Sequence, residues 1–354
     1  MTAERPVGAL LVGSVNLATA ADVFRAAGTH LAQHLRYVPD GEPGERDNWL
    51  VFQSGVFDRH PDVELAPRPD DGYGHVLPSY RLRRGADPRG IDLRPLGYAD
   101  AAESSYAEFR RLRGEGALPS HVRFQVSLPT PAAVVATFVD AGDQPALEPV
   151  YEAALLAELR RIQDVVPSGD LAVQWDVCVE MAMLEEIGGL FTPWFGPVLD
   201  GVVDRLARIS AEVVSEVPLG FHLCYGDFGH QHWKEPADTS RLVEMANTIV
   251  DAVRRPIAHL HLPVPADRDD AEYFAPLREL RLRPETDLYL GLVHAGDLLG
   301  TARRAAAART AVPRFGVATE CGMGRTPREL IDGLLALHAK SADPVGGPLT
   351  VAMA

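Results

Sequence analysis

The sequence predicts an α/β fold, a (β/α)8 TIM barrel made by one domain over residues 1–354, with an inserted loop or subdomain near residues 58–94. Short apolar runs alternate with amphipathic helical segments, as in parallel strands joined by helical crossovers. Nearly every run ends in polar, reactive side chains, as barrel strands do at their C-terminal ends. An open doubly wound sheet is the alternative, but the sequence lacks its Gly-rich dinucleotide loop.

The predicted elements follow one another along most of the chain. Strands are predicted at the apolar runs, which are 9–15, 121–127, 171–177, 220–225, 257–264, 288–294 and 314–319, and a further short run ends at Val38. Amphipathic helices are predicted between them, over 18–35, 148–165, 194–216, 240–255, 297–309 and 326–340. Residues 58–94 break this alternation because they are rich in Pro, Gly, Arg and Asp. That stretch is either a lid or binding loop or a solvated surface insertion.

Composition narrows the class of protein. The net charge of −15 argues against binding to nucleic acid or to an anionic membrane. No apolar stretch approaches the roughly 20 residues of a membrane helix, and the first residues do not read as a signal peptide. Three cysteines are too few for a disulfide framework, which favours a reducing compartment. We therefore expect a cytoplasmic protein that acts on small molecules, with its oligomeric state left open.

Three residues at predicted strand ends suggest a metal site. His222 and Cys224 are two positions apart on one strand, so their side chains share a face. Cys321 ends a later strand, and two sulfurs with one imidazole suit Zn²⁺. The alternative is that the cysteines are core residues and the His-x-Cys pair is accidental. Cys178 is expected to be a packing residue.

A fourth zinc ligand, or an open position for substrate, is also needed. His259 and His261 end another strand on a shared face, and His261 is predicted as the fourth ligand because it lies nearer the strand end. The alternative is that both are hydrogen-bonded histidines near the core. His230 and His232 follow the first ligand pair and are expected to line the pocket or lie at the surface.

Six motifs in order resemble the C-terminal catalytic barrel of cobalamin-independent methionine synthase, in the uroporphyrinogen decarboxylase and methionine synthase superfamily. They are Gly13-Ser14, the Gly-Glu-Pro-Gly-Glu-Arg-Asp stretch at 41–47, Gln174-Trp175-Asp176, the Phe-His-Leu-Cys-Tyr strand at 221–225, Val293-His294 and Glu320-Cys321-Gly322.

The resemblance implies a role for each matching residue. Gly13 and Ser14 would hold the substrate carboxylate, and Glu42 and Asp176 its amino group, with Asp176 also contributing to catalysis by orienting the thiol. His294 would act as the general acid. The resemblance also implies Zn²⁺ as cofactor, with a small-molecule thiol or amino acid and an alkyl donor as partners.

The sequence also departs from the family. Its run at 257–264 carries His259 and His261 where the synthase has a Glu ligand, and Val177 replaces an acidic residue. The synthase's N-terminal half is not represented.

The leading prediction is a zinc-dependent transferase that moves a methyl or alkyl group to a homocysteine-like thiol. Zinc would lower the pKa of the substrate thiol, so that a thiolate exists at neutral pH. A zinc-dependent lyase or hydrolase on the same barrel is one alternative. A metal-free decarboxylase-like member of the superfamily is the other.

Overall fold

The computed structural model describes residues 6–67, 77–187, 191–226 and 231–345. Within these residues the strands are β1 (Tyr37–Pro39), β2 (Val63–Ala66), β3 (Ser79–Leu82), β4 (Arg123–Pro129), β5 (Leu171–Val177), β6 (Leu219–Leu223), β7 (His259–Pro263), β8 (Asp287–Val293) and β9 (Gly316–Thr319). The helices are α1 (Ala20–Leu31), α2 (Ser54–Asp58), α3 (Tyr98–Gly114), α4 (Pro131–Phe138), α5 (Gln144–Val165), α6 (Val179–Leu184), α7 (Val198–Ala211), α8 (Ser240–Ala252), α9 (Ala271–Phe274), α10 (Leu298–Arg309) and α11 (Ile331–Ser341).

Seven strands form one parallel sheet in the order β1-β4-β5-β6-β7-β8-β9. Each strand from β4 onward pairs with the next strand along the chain, and helices lie in the connections between them. β5, β6, β7 and β8 are buried along their whole length, as expected of parallel strands covered on both faces. The α/β class and the parallel arrangement are therefore confirmed.

The segment around Ala9 contacts both edges of this sheet. Ala9 forms one parallel bridge with Leu35, just before β1, and another with Val317 in β9. The predicted strand at 9–15 is thus represented by isolated bridges, because its hydrogen bonds are divided between the chain segments on its two sides. Closure into a barrel of eight complete units stays a prediction.

The predicted insertion contains a two-stranded antiparallel hairpin, β2 and β3. The backbone N–H of Leu82 donates to the Asp143 carboxylate at 2.8 Å, and Tyr80 stacks on Phe57 with ring centroids 5.7 Å apart. These contacts attach the hairpin to the helical layer. Residues 68–76 of the insertion lie outside the described residues.

All six predicted helices are present with shorter or shifted ends, as α1, α5, α7, α8, α10 and α11. The short α2, α6 and α9 were not predicted, nor were the longer α3 and α4. All eight residues of α4 are buried, so its sequence has no polar face to produce an amphipathic period. α3 does have a buried stripe, which includes Ala102, Tyr106 and Phe109. The apolar period of α3 is not apparent in the sequence, because the helix carries many charged residues and directly follows the insertion. Among the described helices, none is long and apolar enough to cross a membrane.

Candidate active site

The C-terminal ends of β6 and β9, which are separated by two strands in the sheet, bring three potential metal ligands together. His222 lies on β6, Cys224 directly follows this strand, and Cys321 follows β9. The two sulfurs are 3.5 Å apart, and the Cys321 Sγ lies 3.8 Å from the His222 Nε2. All three ligand atoms lie within 4.8 Å of one another, so these residues could hold one metal ion.

The spacing of these donor atoms fits zinc. Two sulfurs that bind a tetrahedral zinc at about 2.3 Å stand about 3.8 Å apart, and a sulfur and an imidazole nitrogen about 3.6 Å apart. The observed 3.5 Å and 3.8 Å are close to both values. Thiolates and imidazole are also the donors that zinc prefers over oxygen-seeking cations. The chemistry of the set and these two distances therefore agree with zinc, and the third pair of donor atoms, from Cys224 and His222, lies within 4.8 Å.

His261 lies outside this group of three. Its Nδ1 is 2.7 Å from the Nδ1 of His222, which is directly opposite it across the β6–β7 pair. Its Nε2 is 3.0 Å from the backbone carbonyl oxygen of Thr319. Burial lowers the pKa of His261 to about 3, so the ring is neutral. Both ring nitrogens thus already have partners, although His261 is the residue predicted from the sequence as the fourth ligand.

Two further residues lie close to the metal ligands. Cys178 is buried and its thiol is hydrogen-bonded with that of Cys224, so it contributes more to this region than packing alone. Burial raises the pKa of the Cys178 thiol, which keeps it protonated. His259 contacts the Gln174 side-chain oxygen at 3.1 Å, away from the two sulfurs.

The metal ligands form part of the wall of a cavity of about 80 Å³. Its lining consists of Val12, Gly13, Ser14, Glu42, Trp49, Asp176, Cys178, His222, Cys224, Gly226, Trp233, Cys321, Gly322 and Arg325. Seven of the nine site residues predicted from the sequence are in this set. The other two, His261 and His294, are not.

The cavity contains two carboxyl groups with raised pKa values. Burial, reinforced by the nearby Asp176, raises the pKa of Glu42 to about 8. Burial also raises the pKa of Asp176 to about 7, against the opposing effect of hydrogen bonds from Gln174 and Trp49. Two buried acids without a bound cation hold protons near neutral pH, and a cationic ligand would favour their ionised forms.

Neighbouring side chains hold these two acids in place. The Gln174 amide donates to one Asp176 oxygen at 2.9 Å, and the Trp49 indole N–H donates to the other at 3.2 Å. Glu42 has a left-handed backbone conformation with φ of 56°, and its N–H donates to the Asp40 carboxylate at 2.9 Å. Arg46 forms an ion pair with the same Asp40 at 2.5 Å, which fixes the turn that presents Glu42.

A positively charged side chain, that of Arg325, also lines this cavity. Arg325 donates to the Asn48 side-chain oxygen at 3.0 Å, and its positive charge acts on Glu42. Ser14 lies against the loop that carries Arg325, because a Cβ added at Gly322 would come within 2.3 Å of the Ser14 Oγ. Glycine at 322 is therefore required for the close approach of this loop to the predicted substrate-binding residue.

Solved structures share this architecture. A B12-independent methionine synthase from Shewanella sp. W3-18-1, solved in complex with selenomethionine, matches with a TM-score of 0.61 and 13% identity over 95% of this chain and 96% of that one. The chain has the methionine synthase fold.

Two further structures agree with this result. A protein described as a vitamin B12-independent methionine synthase from Listeria monocytogenes matches with a TM-score of 0.58 and 16% identity, covering 95% of this chain and 98% of its own. A methyltransferase from Methanosarcina mazei has a TM-score of 0.53 and 10% identity, covering 96% and 95%. No protein-family model and no curated protein matches the sequence. The resemblance that the six motifs predicted is confirmed by these structures.

His294, which the resemblance assigns as the general acid, does not line the cavity that contains His222 and Cys224. It lines a second cavity of about 200 Å³ together with His232, Glu320 and Cys321. Its Nε2–H donates to the Val264 carbonyl oxygen at 2.9 Å, and burial lowers its pKa to about 4. The ring is therefore neutral at pH 7, and its role as a general acid stays a prediction.

His232 lies in this second cavity and carries a charge. Its ring contacts Glu235 at 2.9 Å and Glu320 at 3.0 Å. Although burial lowers its pKa, these carboxylates raise it overall to about 9, so His232 is an imidazolium at neutral pH. His232 was expected to line the pocket or lie at the surface, and it lines this second cavity rather than the one that contains His222 and Cys224. His230 lies outside the described residues.

Three residues that contribute to the site were not predicted from the sequence: Trp49, Gln174 and Arg325. Arg325 follows β9 by several residues, so no strand-end pattern singles it out. Trp49 reaches Asp176 across 127 positions of sequence, a contact that no local pattern contains. Gln174 belongs to the Gln174-Trp175-Asp176 motif. Its hydrogen bond to Asp176 follows from strand geometry, because residues two apart on a strand share a face.

Proposed function

We propose that this protein is a zinc-dependent transferase that moves a methyl or other alkyl group from a donor to the thiol of a small amino-acid substrate. The observation that supports it most strongly is the position of His222, Cys224 and Cys321 in the wall of a cavity that also holds two buried acids. The proposed metal site and the proposed binding site for a charged small molecule would thus lie in the same cavity.

The three ligands would hold the zinc ion, and the rest of the chain would position the substrate around it. When bound, zinc lowers the pKa of a thiol that reaches it and so makes a nucleophile available at neutral pH. The buried walls limit access of water, which increases the effect of the charges inside the cavity. Positioning of this kind can lower a reaction barrier by several kcal/mol.

The charged groups of the cavity suggest an α-amino acid as the acceptor. Glu42 and Asp176 would bind its ammonium group, and Ser14 and Arg325 its carboxylate. The Shewanella protein of similar fold binds an amino acid, selenomethionine, which supports this assignment. Homocysteine carries the required ammonium, carboxylate and thiol, and is our proposed acceptor.

The zinc content of protein purified without added metal tests the proposal. We expect about one equivalent in the wild type and in Cys178→Ser, whose sulfur lies outside the group of three. Cys224→Ser and Cys321→Ser should lose most of it, because each removes one of three protein ligands. Zinc below half an equivalent in the wild type, unchanged in Cys224→Ser, would contradict the proposal.

Thiol binding provides the second half of the test. Homocysteine should bind the zinc-loaded protein, measured by calorimetry, and Cys224→Ser should bind it at least tenfold more weakly. Turnover of a substrate without a thiol, unaffected by homocysteine, would favour a zinc-dependent lyase or hydrolase instead.

A further inference from the structure

A chain of hydrogen bonds runs behind the proposed metal ligands, from His222 through His261 to the Thr319 carbonyl. The His222 Nδ1 and His261 Nδ1 are 2.7 Å apart, and the His261 Nε2 is 3.0 Å from the Thr319 oxygen. Both rings are almost fully buried, at 3% and 0% exposure. The His222 Nε2 lies at the other end of this chain and is the atom that faces Cys321.

The order of donors and acceptors in this chain follows from its last member. A carbonyl oxygen only accepts, so the His261 Nε2 must carry a hydrogen. In the neutral ring its Nδ1 then accepts, and the hydrogen between the two rings belongs to the His222 Nδ1. The lone pair of His222 is consequently on Nε2, which is the nitrogen that faces the Cys321 sulfur.

We infer that His261 is a positioning residue that fixes the tautomer of His222 and is not itself a zinc ligand. The inference rests on the proposed function and differs from the sequence-based assignment of His261 as a ligand. His261 has both nitrogens engaged, so it could bind zinc only by giving up its bond to His222 or its bond to Thr319.

The cavity provides the space for the fourth position. His222, Cys224 and Cys321 all line the cavity that contains Glu42 and Asp176. A tetrahedral zinc with three protein ligands keeps one position open, as catalytic zinc sites do. Three protein ligands and an open position would therefore complete the site without His261.

X-ray absorption at the zinc edge tests this inference by counting ligands. The zinc-loaded wild type should show two sulfurs, one imidazole and one light atom, and homocysteine should replace the light atom with a third sulfur. Two imidazoles in the wild type would overturn the inference, because they would indicate His261 as a second histidine ligand.

Two variants separate positioning from ligation through zinc affinity, measured by chelator competition. In His261→Gln the amide can accept from His222 and donate to Thr319, so affinity should stay within about threefold of the wild type. His261→Leu removes both bonds and should weaken zinc binding about 10- to 100-fold. His259→Gln, on the same strand, is the matched control and should change little. An equal loss in the Gln and Leu variants, with one imidazole missing, would show that His261 is a ligand.

The failure of this inference can be distinguished from failure of the proposed function. If the wild type shows one imidazole but homocysteine adds no sulfur, the acceptor is wrong whereas the positioning role holds. Nitrogen-15 NMR of the metal-free protein provides a readout without zinc, and should find the His222 ring protonated at Nδ1. Protonation at Nε2 would overturn the positioning role.

Discussion

At the scale of single residues, we expect Glu42 and Asp176 to make ligand binding depend on pH. Their pKa values are raised to about 8 and about 7, so both hold protons in mildly acidic solution. An ammonium group binds the ionised forms, so its affinity should rise as pH rises from 6 to 8. Methionine is a suitable probe because it has no thiol that titrates.

We therefore expect calorimetry to show tighter methionine binding at pH 8 than at pH 6. Glu42→Gln should weaken binding at pH 8 by about 10- to 100-fold, as expected for loss of a charged hydrogen-bond partner of about 1.5–3 kcal/mol. The variant should retain a smaller pH dependence, centred near 7, from Asp176. Affinity that falls as pH rises would contradict the assignment of these acids to the ammonium group.

Arg325 is predicted to select acceptors that carry a carboxylate. Arg325→Gln should weaken methionine binding at least tenfold, because the cationic partner of the carboxylate is lost. Binding of 3-(methylthio)propylamine, which is methionine without its carboxylate, should stay within about twofold. Zinc content should not change, and Arg325→Lys should recover part of the affinity. An equal loss for both ligands would instead indicate a general disturbance of the cavity.

At the scale of elements, glycine allows β6 and β7 to approach each other behind the metal ligands. A Cβ added at Gly220 would lie 2.0 Å from the His259 ring. Gly220→Ala should therefore destabilise the protein by about 1–3 kcal/mol, the usual cost of overpacking. Denaturant unfolding measures this change.

Gly333 is the matched control for that substitution. It lies in α11, and an added Cβ would meet nothing within 4 Å. Gly333→Ala should stabilise the helix by about 0.5–1 kcal/mol, because alanine loses less backbone entropy there. Equal effects of the two substitutions would show that the close approach at Gly220 is not a source of strain.

The sequence predicts elements that have a local pattern, but not contacts between residues that are distant along the chain. β5 was predicted with its observed ends, since its seven consecutive residues are buried and all but Gln174 and Asp176 are apolar. The short run that ends at Val38 corresponds to β1, whereas the hairpin in the insertion has no such run and α4 has no polar face. Strand-end patterns placed seven site residues at one cavity. They did not reveal that His261 contacts His222, because that depends on the register of two strands.

At the scale of the whole molecule, a bound metal would link distant parts of the chain. Cys224 and Cys321 are separated by 97 positions but lie 3.5 Å apart. An ion that binds only the folded state stabilises it, by about 2.7 kcal/mol when its free concentration is 100 times Kd. Zinc should therefore raise the unfolding temperature measured by calorimetry, and a chelator should lower it.

Cys224→Ser provides the control, since its unfolding temperature should not respond to the chelator. Cys178→Ser should respond as the wild type does. A chelator effect of equal size in Cys224→Ser would mean that the stabilising ion binds elsewhere.

Cys321 lies in the walls of both the cavity that holds Glu42 and the one that holds His294. If the acceptor binds in the first cavity and the alkyl donor in the second, both can be bound at the same time. Direct passage of the alkyl group between them would invert the configuration at its carbon. Initial rates plotted against one reactant at fixed levels of the other should give intersecting lines, and parallel lines would indicate that the group first rests on the enzyme.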